Sequence, residues 1–124
     1  MISLPHSKEA EMAVLGSVLI DDQAIDAIRD FVASKDFYFD IYAKVYSIMC
    51  EMREQNIAID LMTIRHKNLA AAADAGLNEC ISKVSTALHI FEYGRTVAKL
   101  SLERQILRQC TIAATEPTRE NVDI

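Results

Sequence analysis

Glycine and proline are scarce in this chain, three and two in 124 residues, and tryptophan is absent. A sandwich or barrel of many short strands needs turn residues at every reversal, so that class is excluded and helices are expected instead. The three glycines, Gly16, Gly76 and Gly94, do not cluster, and none precedes a lysine. A phosphate-cradling loop needs clustered glycines that let backbone N–H groups close on the anion, so a P-loop nucleotide site is excluded too. Cysteine is equally sparse: Cys50, Cys80 and Cys110 are odd in number and form no CxxC pair. That argues against a disulfide framework and for a reducing compartment. No signal peptide is expected, because Met1 to Glu11 is polar. No membrane span is expected either: the longest apolar run, Met12 to Ile20, is broken by Gly16 and Ser17 and falls short of the roughly 20 residues required.

What is present describes one soluble folded domain. Hydrophobic residues make up 51% and charged residues 25%, enough to bury a core without staples. The net charge of −5 argues against sequence-independent nucleic-acid binding, which runs on Lys and Arg neutralising phosphates. The charge is unevenly spread. Residues 1–62 hold 5 basic against 11 acidic residues, and residues 63–124 hold 8 against 7.

The spacing of apolar residues predicts an all-α fold, a small orthogonal bundle of about six helices. Ser7 reads as the N-cap of a first helix to Ile20, with Met12, Leu15 and Leu19 on its inner face. A short second helix carries Ala24, Ile25, Ile28, Phe31 and Val32, and a third runs from about Asp40 to Gln55. Asp60 caps a fourth from Leu61 to about Ala73, where Gly76 supplies a left-handed stop. Asn78 caps a short fifth to about Ala87, and the longest, sixth helix runs from about Phe91 to Ala114. These elements form one domain over residues 1–114, and 115–124 is a polar segment leading out of it.

No catalytic, cofactor-binding or metal-binding residue is expected in these 124 positions. His6, His66 and His89 lie far apart and outside any HExxH or Cys/His cluster. No GxSxG or CGxC context marks a nucleophile. Asp22, Asp26 and Asp30 stand at i, i+4 and i+8 on the second helix, where like charges repel and a solvated face is expected. The basic residues of the last helix split into pairs, since Arg95 and Arg104 sit about 180° apart at 100° per residue. Tyr93, Val97, Leu100 and Leu107 share another side. With Phe91 they are the candidate subunit or partner interface, because that helix carries more apolar surface than one packing contact uses.

Four ordered segments carry a family resemblance. Leu4-Pro5-His6-Ser7 is followed by Glu9-Ala10-Glu11 and Val14-Leu15-Gly16-Ser17-Val18-Leu19-Ile20-Asp21; then come Asp36-Phe37-Tyr38, Ile59-Asp60-Leu61-Met62-Thr63-Ile64, and Tyr93, Arg95, Val97, Arg104 and Leu107. Together, over about residues 4–124, they resemble the N-terminal domain of bacterial replicative DNA helicases, the DnaB family. Departures stand at Gly76-Leu77, Cys80, Tyr42 and Glu103. The resemblance implies a helical head leading into a truncated helical hairpin, ahead of a motor domain that is absent from this chain. The motor would hold ATP and Mg and unwind DNA in replication, with no cofactor in the head. The heads would pair into a collar, a dimer in isolation and a hexamer in the parent, receiving primase and a helicase loader. No direct nucleic-acid or membrane contact is implied, and the location is the bacterial cytoplasm. Two alternatives are the helicase-binding domain of a primase, whose fold is similar, and a stand-alone DNA-binding helical module.

Overall fold

The hydroxyl of Ser7 accepts the Ala10 N–H at 3.1 Å and starts α1, Lys8–Ile20. In this computed structural model the backbone of residues 3–115 and the side chains of residues 3–111 are described. The expected polar segment 115–124 lies outside the described residues except for Thr115. Every residue of α1 from Ala10 to Val18 is buried, so the helix is enclosed on all sides and not on one face alone. It is the axis around which the other elements pack.

The chain then departs from the expected second α-helix. Asp22–Ala27 is a 3-10 turn capped by Asp21, and a second 3-10 turn covers Ser34–Asp36. The aspartates explain the change. Asp22 accepts the Ile59 N–H at 3.0 Å, and Asp26 accepts both Nε (3.1 Å) and Nη2 (2.7 Å) of Arg53. The carboxylates expected to form a repelling solvated row are therefore partly spent on distant elements. Arg53 holds the Asp26 carboxyl below the ordinary carboxylate range.

Helix α2, Asp40–Glu54, buries Tyr42, Val45, Tyr46, Met49 and Met52, the i, i+3, i+4 stripe of an amphipathic helix. Asn56 adopts a left-handed φ of 58° just past its end, a conformation Asn tolerates better than most residues. The expected fourth helix is two helices, α3 (Leu61–Lys67) and α4 (Leu69–Ala75). Asn68 splits them: its backbone is extended and its side chain accepts the Ala71 N–H at 3.0 Å, so a capping residue ends one helix by starting the next. Gly76, φ 61°, stops α4 and opens α5, Leu77–Ser82. It takes the start expected of Asn78, because only Gly meets the left-handed geometry cheaply. Helix α6 spans Ile90–Thr115, as expected within a residue.

Helix α1 packs against α5 and α6, α2 covers α1 and carries α4, and α3 rests on α2 and α4. Gly16 allows the α1–α5 approach: a Cβ there would collide with the Cys80 carbonyl oxygen and lie 2.7 Å from its carbon. Burial in the same contact raises the Cys80 thiol to about 11, far from a reactive thiolate.

Candidate functional site

Helix α6 is the element on which the expected interface lies. It is seated by a row at helical spacing: Ile90, Gly94, Val97, Ser101 and Arg104 are buried. Gly94 fits against Ile28, whose Cγ2 would be 2.7 Å from an added Cβ. Ser101 Oγ donates to Asp36 Oδ1 at 2.8 Å.

Arg104, only 3% exposed, closes the row. Its Nη1 donates to the Pro5 carbonyl at 2.9 Å and its Nη2 to the Asp36 carbonyl at 2.8 Å. Its guanidinium lies 5.4 Å from the Tyr38 ring centroid. On that ring the His6 imidazole stacks at 4.0 Å and 6°, and His6 Nδ1 donates to the Leu4 carbonyl at 2.7 Å. Three of the segments that carried the family resemblance, around Pro5-His6, around Asp36-Phe37-Tyr38 and at Arg104, thus meet at one lock. Together they tie α6 to the N-terminal segment and to the chain ahead of α2.

Glu11 of α1 completes the lock. Buried at 2% exposure, it accepts the N–H groups of Tyr38 at 2.8 Å and Phe39 at 3.2 Å. Phe39 is the N-cap of α2 and has no capping side chain; Glu11, from another helix, satisfies the N–H of that N-cap residue and of the residue before it. Burial raises its pKa above the ordinary 4.5 against the lowering effect of those two N–H bonds and of Arg104. A raised folded value means that the native state holds this proton more tightly than the unfolded chain does. The associated stability is complete below about pH 4.5 and is lost as pH rises through the folded value. Urea midpoints of the wild type should therefore fall relative to those of Glu11→Gln as pH climbs from 4 to 7; parallel profiles would refute the assignment.

Beyond Arg104 the character of α6 changes. Every described side chain from Gln105 to Thr111 is exposed, while the helix continues to Thr115, roughly 16 Å further at 1.5 Å per residue. Counting Leu102 at its root, just before Arg104, this arm bears large apolar groups: Leu102 is 56% exposed, Ile106 52% and Leu107 45%.

The five candidate interface residues do not form one surface. Val97 is a correction, since at 2% exposure it belongs to the core. Tyr93 and Leu100 are half-buried flanks in line with exposed Leu107. Phe91 lies about 160° round the helix from Tyr93, exposed and edge-on to Phe31 at 5.5 Å. Leu102 and Ile106, outside those five, are exposed large apolar residues as well, and their i, i+4 spacing in a polar stretch is the signal that finds them. Among the described residues, no group of three or more His, Cys, Asp or Glu side chains is placed to hold a metal. No described helix is long and apolar enough to cross a membrane.

Comparison with known proteins gives a consistent picture. The family model for the DnaB-like helicase N terminal domain matches residues 3–99. The replicative DNA helicase DnaB of Geobacillus stearothermophilus is 32% identical over 125 residues, covering 94% of this chain and 27% of that protein. The replicative DNA helicase DnaC of Bacillus subtilis (strain 168) is 28% identical over 124 residues, with the same coverage of 94% and 27%. The crystal structure of the N-terminal domain of DnaB helicase from Mycobacterium tuberculosis is similar with a TM-score of 0.85 at 25% identity, covering 94% of this chain and 85% of that one. The chain thus spans about a quarter of the length of the curated relatives it matches, 27% for these two.

Proposed function

The chain belongs to the DnaB-like helicase N-terminal domain family, and from that premise we propose that it is the non-catalytic collar domain of an ATP-dependent replicative DNA helicase. The observation that carries this reading is the α6 arm, which runs past its own body with Leu102, Ile106 and Leu107 uncovered. A helix with an unpaired apolar side is a subunit contact in waiting. In this reading self-association builds the collar, and the collar receives primase and a helicase loader. ATP and magnesium belong to a motor domain other than this one, and the setting is the bacterial cytoplasm.

Magnitudes set the expected strength. A two-copy contact buries six such side chains, each already about half covered, so each contributes roughly half of the about 1.5–3 kcal/mol of full burial, against an association cost of about 4–15 kcal/mol. A two-copy contact made by this arm alone is therefore weak. Six linked copies raise the effective concentration and hold the collar without new contacts.

Sedimentation equilibrium checks the arm directly. The wild-type chain should show a monomer–dimer equilibrium at high micromolar concentration, and Ile106→Asp and Leu107→Asp should each shift it to monomer. Far-UV circular dichroism should be unchanged, because both side chains are exposed in the single chain. A strict monomer, or a dimer indifferent to both substitutions, sinks the proposal.

A further inference from the structure

A cluster of metal-ligating side chains lies away from α6. The end of α2, the chain after it and α3 enclose a groove of about 310 Å³ lined by Met52, Ile57, Met62, Thr63, His66 and Lys67. Three of these carry soft or borderline ligand atoms, two thioethers and an imidazole. Met62 and His66 stand at i and i+4 on α3, so they share one helix face with Cβ atoms about 5–6 Å apart. That is the spacing at which two side chains of one helix reach a single ion. Met52, shut off from solvent, forms the floor, and an unbranched thioether with three rotatable bonds can turn its sulfur towards an arriving ligand. Met62 is 63% exposed and His66 is exposed too, which leaves the mouth open.

The rest of the lining selects the ion. Among the described residues, no carboxylate and no thiol lines the groove. Its one hydroxyl, Thr63 Oγ1, is spent on Asp60, accepting the Asp60 N–H at 2.8 Å and donating to the Asp60 carbonyl at 3.1 Å. Hard cations such as Mg²⁺ and Ca²⁺ are held by oxygen ligands and find none to spare. Lys67, itself balanced by Glu51 at 3.3 Å, opposes a double charge more than a single one. Among the described residues His66 enters no ion pair, so no carboxylate competes for its ring.

We propose that Met52, Met62 and His66 form a binding site for a soft monovalent cation, Cu(I), held by two thioethers and one imidazole. The site is independent of the α6 arm and of self-association.

An anaerobic titration of the 124-residue chain carrying Cys110→Ser tests it; the substitution is needed because the exposed Cys110 thiol is a soft ligand in its own right. Methionine methyl and histidine ring resonances follow the cation by NMR. One equivalent of Cu(I) should shift Met52, Met62 and His66 together and leave Met12, buried in α1, unmoved. In competition with bicinchoninate, Met62→Leu and His66→Gln should each weaken binding at least about tenfold, with unchanged circular dichroism because both side chains are exposed. Met52→Leu, which conserves core volume, should weaken it as much. Absence of saturable Cu(I) binding, or indifference to any of the three substitutions, overturns the proposal. So does Zn(II) shifting His66 at lower concentration than Cu(I). A first equivalent of Cu(I) that moves Met49, the neighbour of half-buried Cys50, in place of Met62 and His66 overturns it as well.

Discussion

Gly16→Val should unfold the α1–α5 contact, with a loss of about 3 kcal/mol or more and a fall in Tm of roughly 10–20 °C. The helix interior alone argues the other way, because replacing a helical Gly by Ala gains about 0.5–1 kcal/mol of backbone entropy. Space decides the sign. A Cβ at residue 16 would collide with the Cys80 carbonyl oxygen, lie 2.7 Å from the Cys80 carbonyl carbon and 3.2 Å from Val84 Cγ2. The first two are backbone atoms of α5 and cannot rotate away, so α5 itself must move, and with it the buried Leu77 and Cys80. The other two glycines serve as internal standards. At Gly94 the close atoms are Ile28 Cγ2 at 2.7 Å and Cβ at 3.2 Å, a buried β-branched side chain that is stiff at χ1 but is not backbone, so Gly94→Ala should cost about 1–3 kcal/mol. At Gly76 there is open space but a φ of 61°, and Gly76→Ala should lose about 1 kcal/mol of left-handed strain. Urea denaturation of the three alanine variants should rank Gly16 as most damaging. A Gly16→Ala variant as stable as wild type would show that the close packing is misread.

The features legible beforehand are those set by neighbours in the chain. Ser7, Asp60 and Gly76 mark helix boundaries because a cap or a left-handed stop acts over a few residues, and α6 is long enough for its period to persist. The 3-10 turn at Asp22–Ala27 was hidden because Ile25 and Ile28 keep a helical spacing while Asp22 and Asp26 answer to Ile59 and Arg53, far along the chain. Asn68 looked like one polar residue inside a helix, and only its bond to the Ala71 N–H shows it to be a cap. The proposed interface is half legible for a related reason. Apolar spacing on α6 marks which residues share a side, but the point where the body ends is set by Arg104, a polar residue. Before Arg104 one face of α6, Ile90 and Val97 among it, falls into the core while Phe91 and Leu102 stay outside, and after it every described side chain, Ile106 and Leu107 included, is exposed.

That boundary residue is the subject of the second large effect. Arg104→Ala should lose about 3–5 kcal/mol, because it leaves buried partners without their charge and donors. The Pro5 and Asp36 carbonyls each lose an N–H partner at 2.9 and 2.8 Å. Glu11 loses a nearby positive charge that favours its ionised form, so its pKa should rise further. Arg104→Lys separates geometry from charge. An ammonium retains the charge near Glu11, but it lacks the planar fork that reaches two carbonyls while lying over the Tyr38 ring. It should recover less than half of the loss in a urea titration. The association assay adds a readout that stability alone would not move. With the lock weakened, α6 is less firmly directed, so the lysine variant, still folded, should dimerise more weakly than wild type although residue 104 is buried away from the arm's exposed Leu102, Ile106 and Leu107. Full recovery of stability by lysine would assign the lock to charge alone, and unchanged dimerisation of the folded lysine variant would uncouple the lock from the arm.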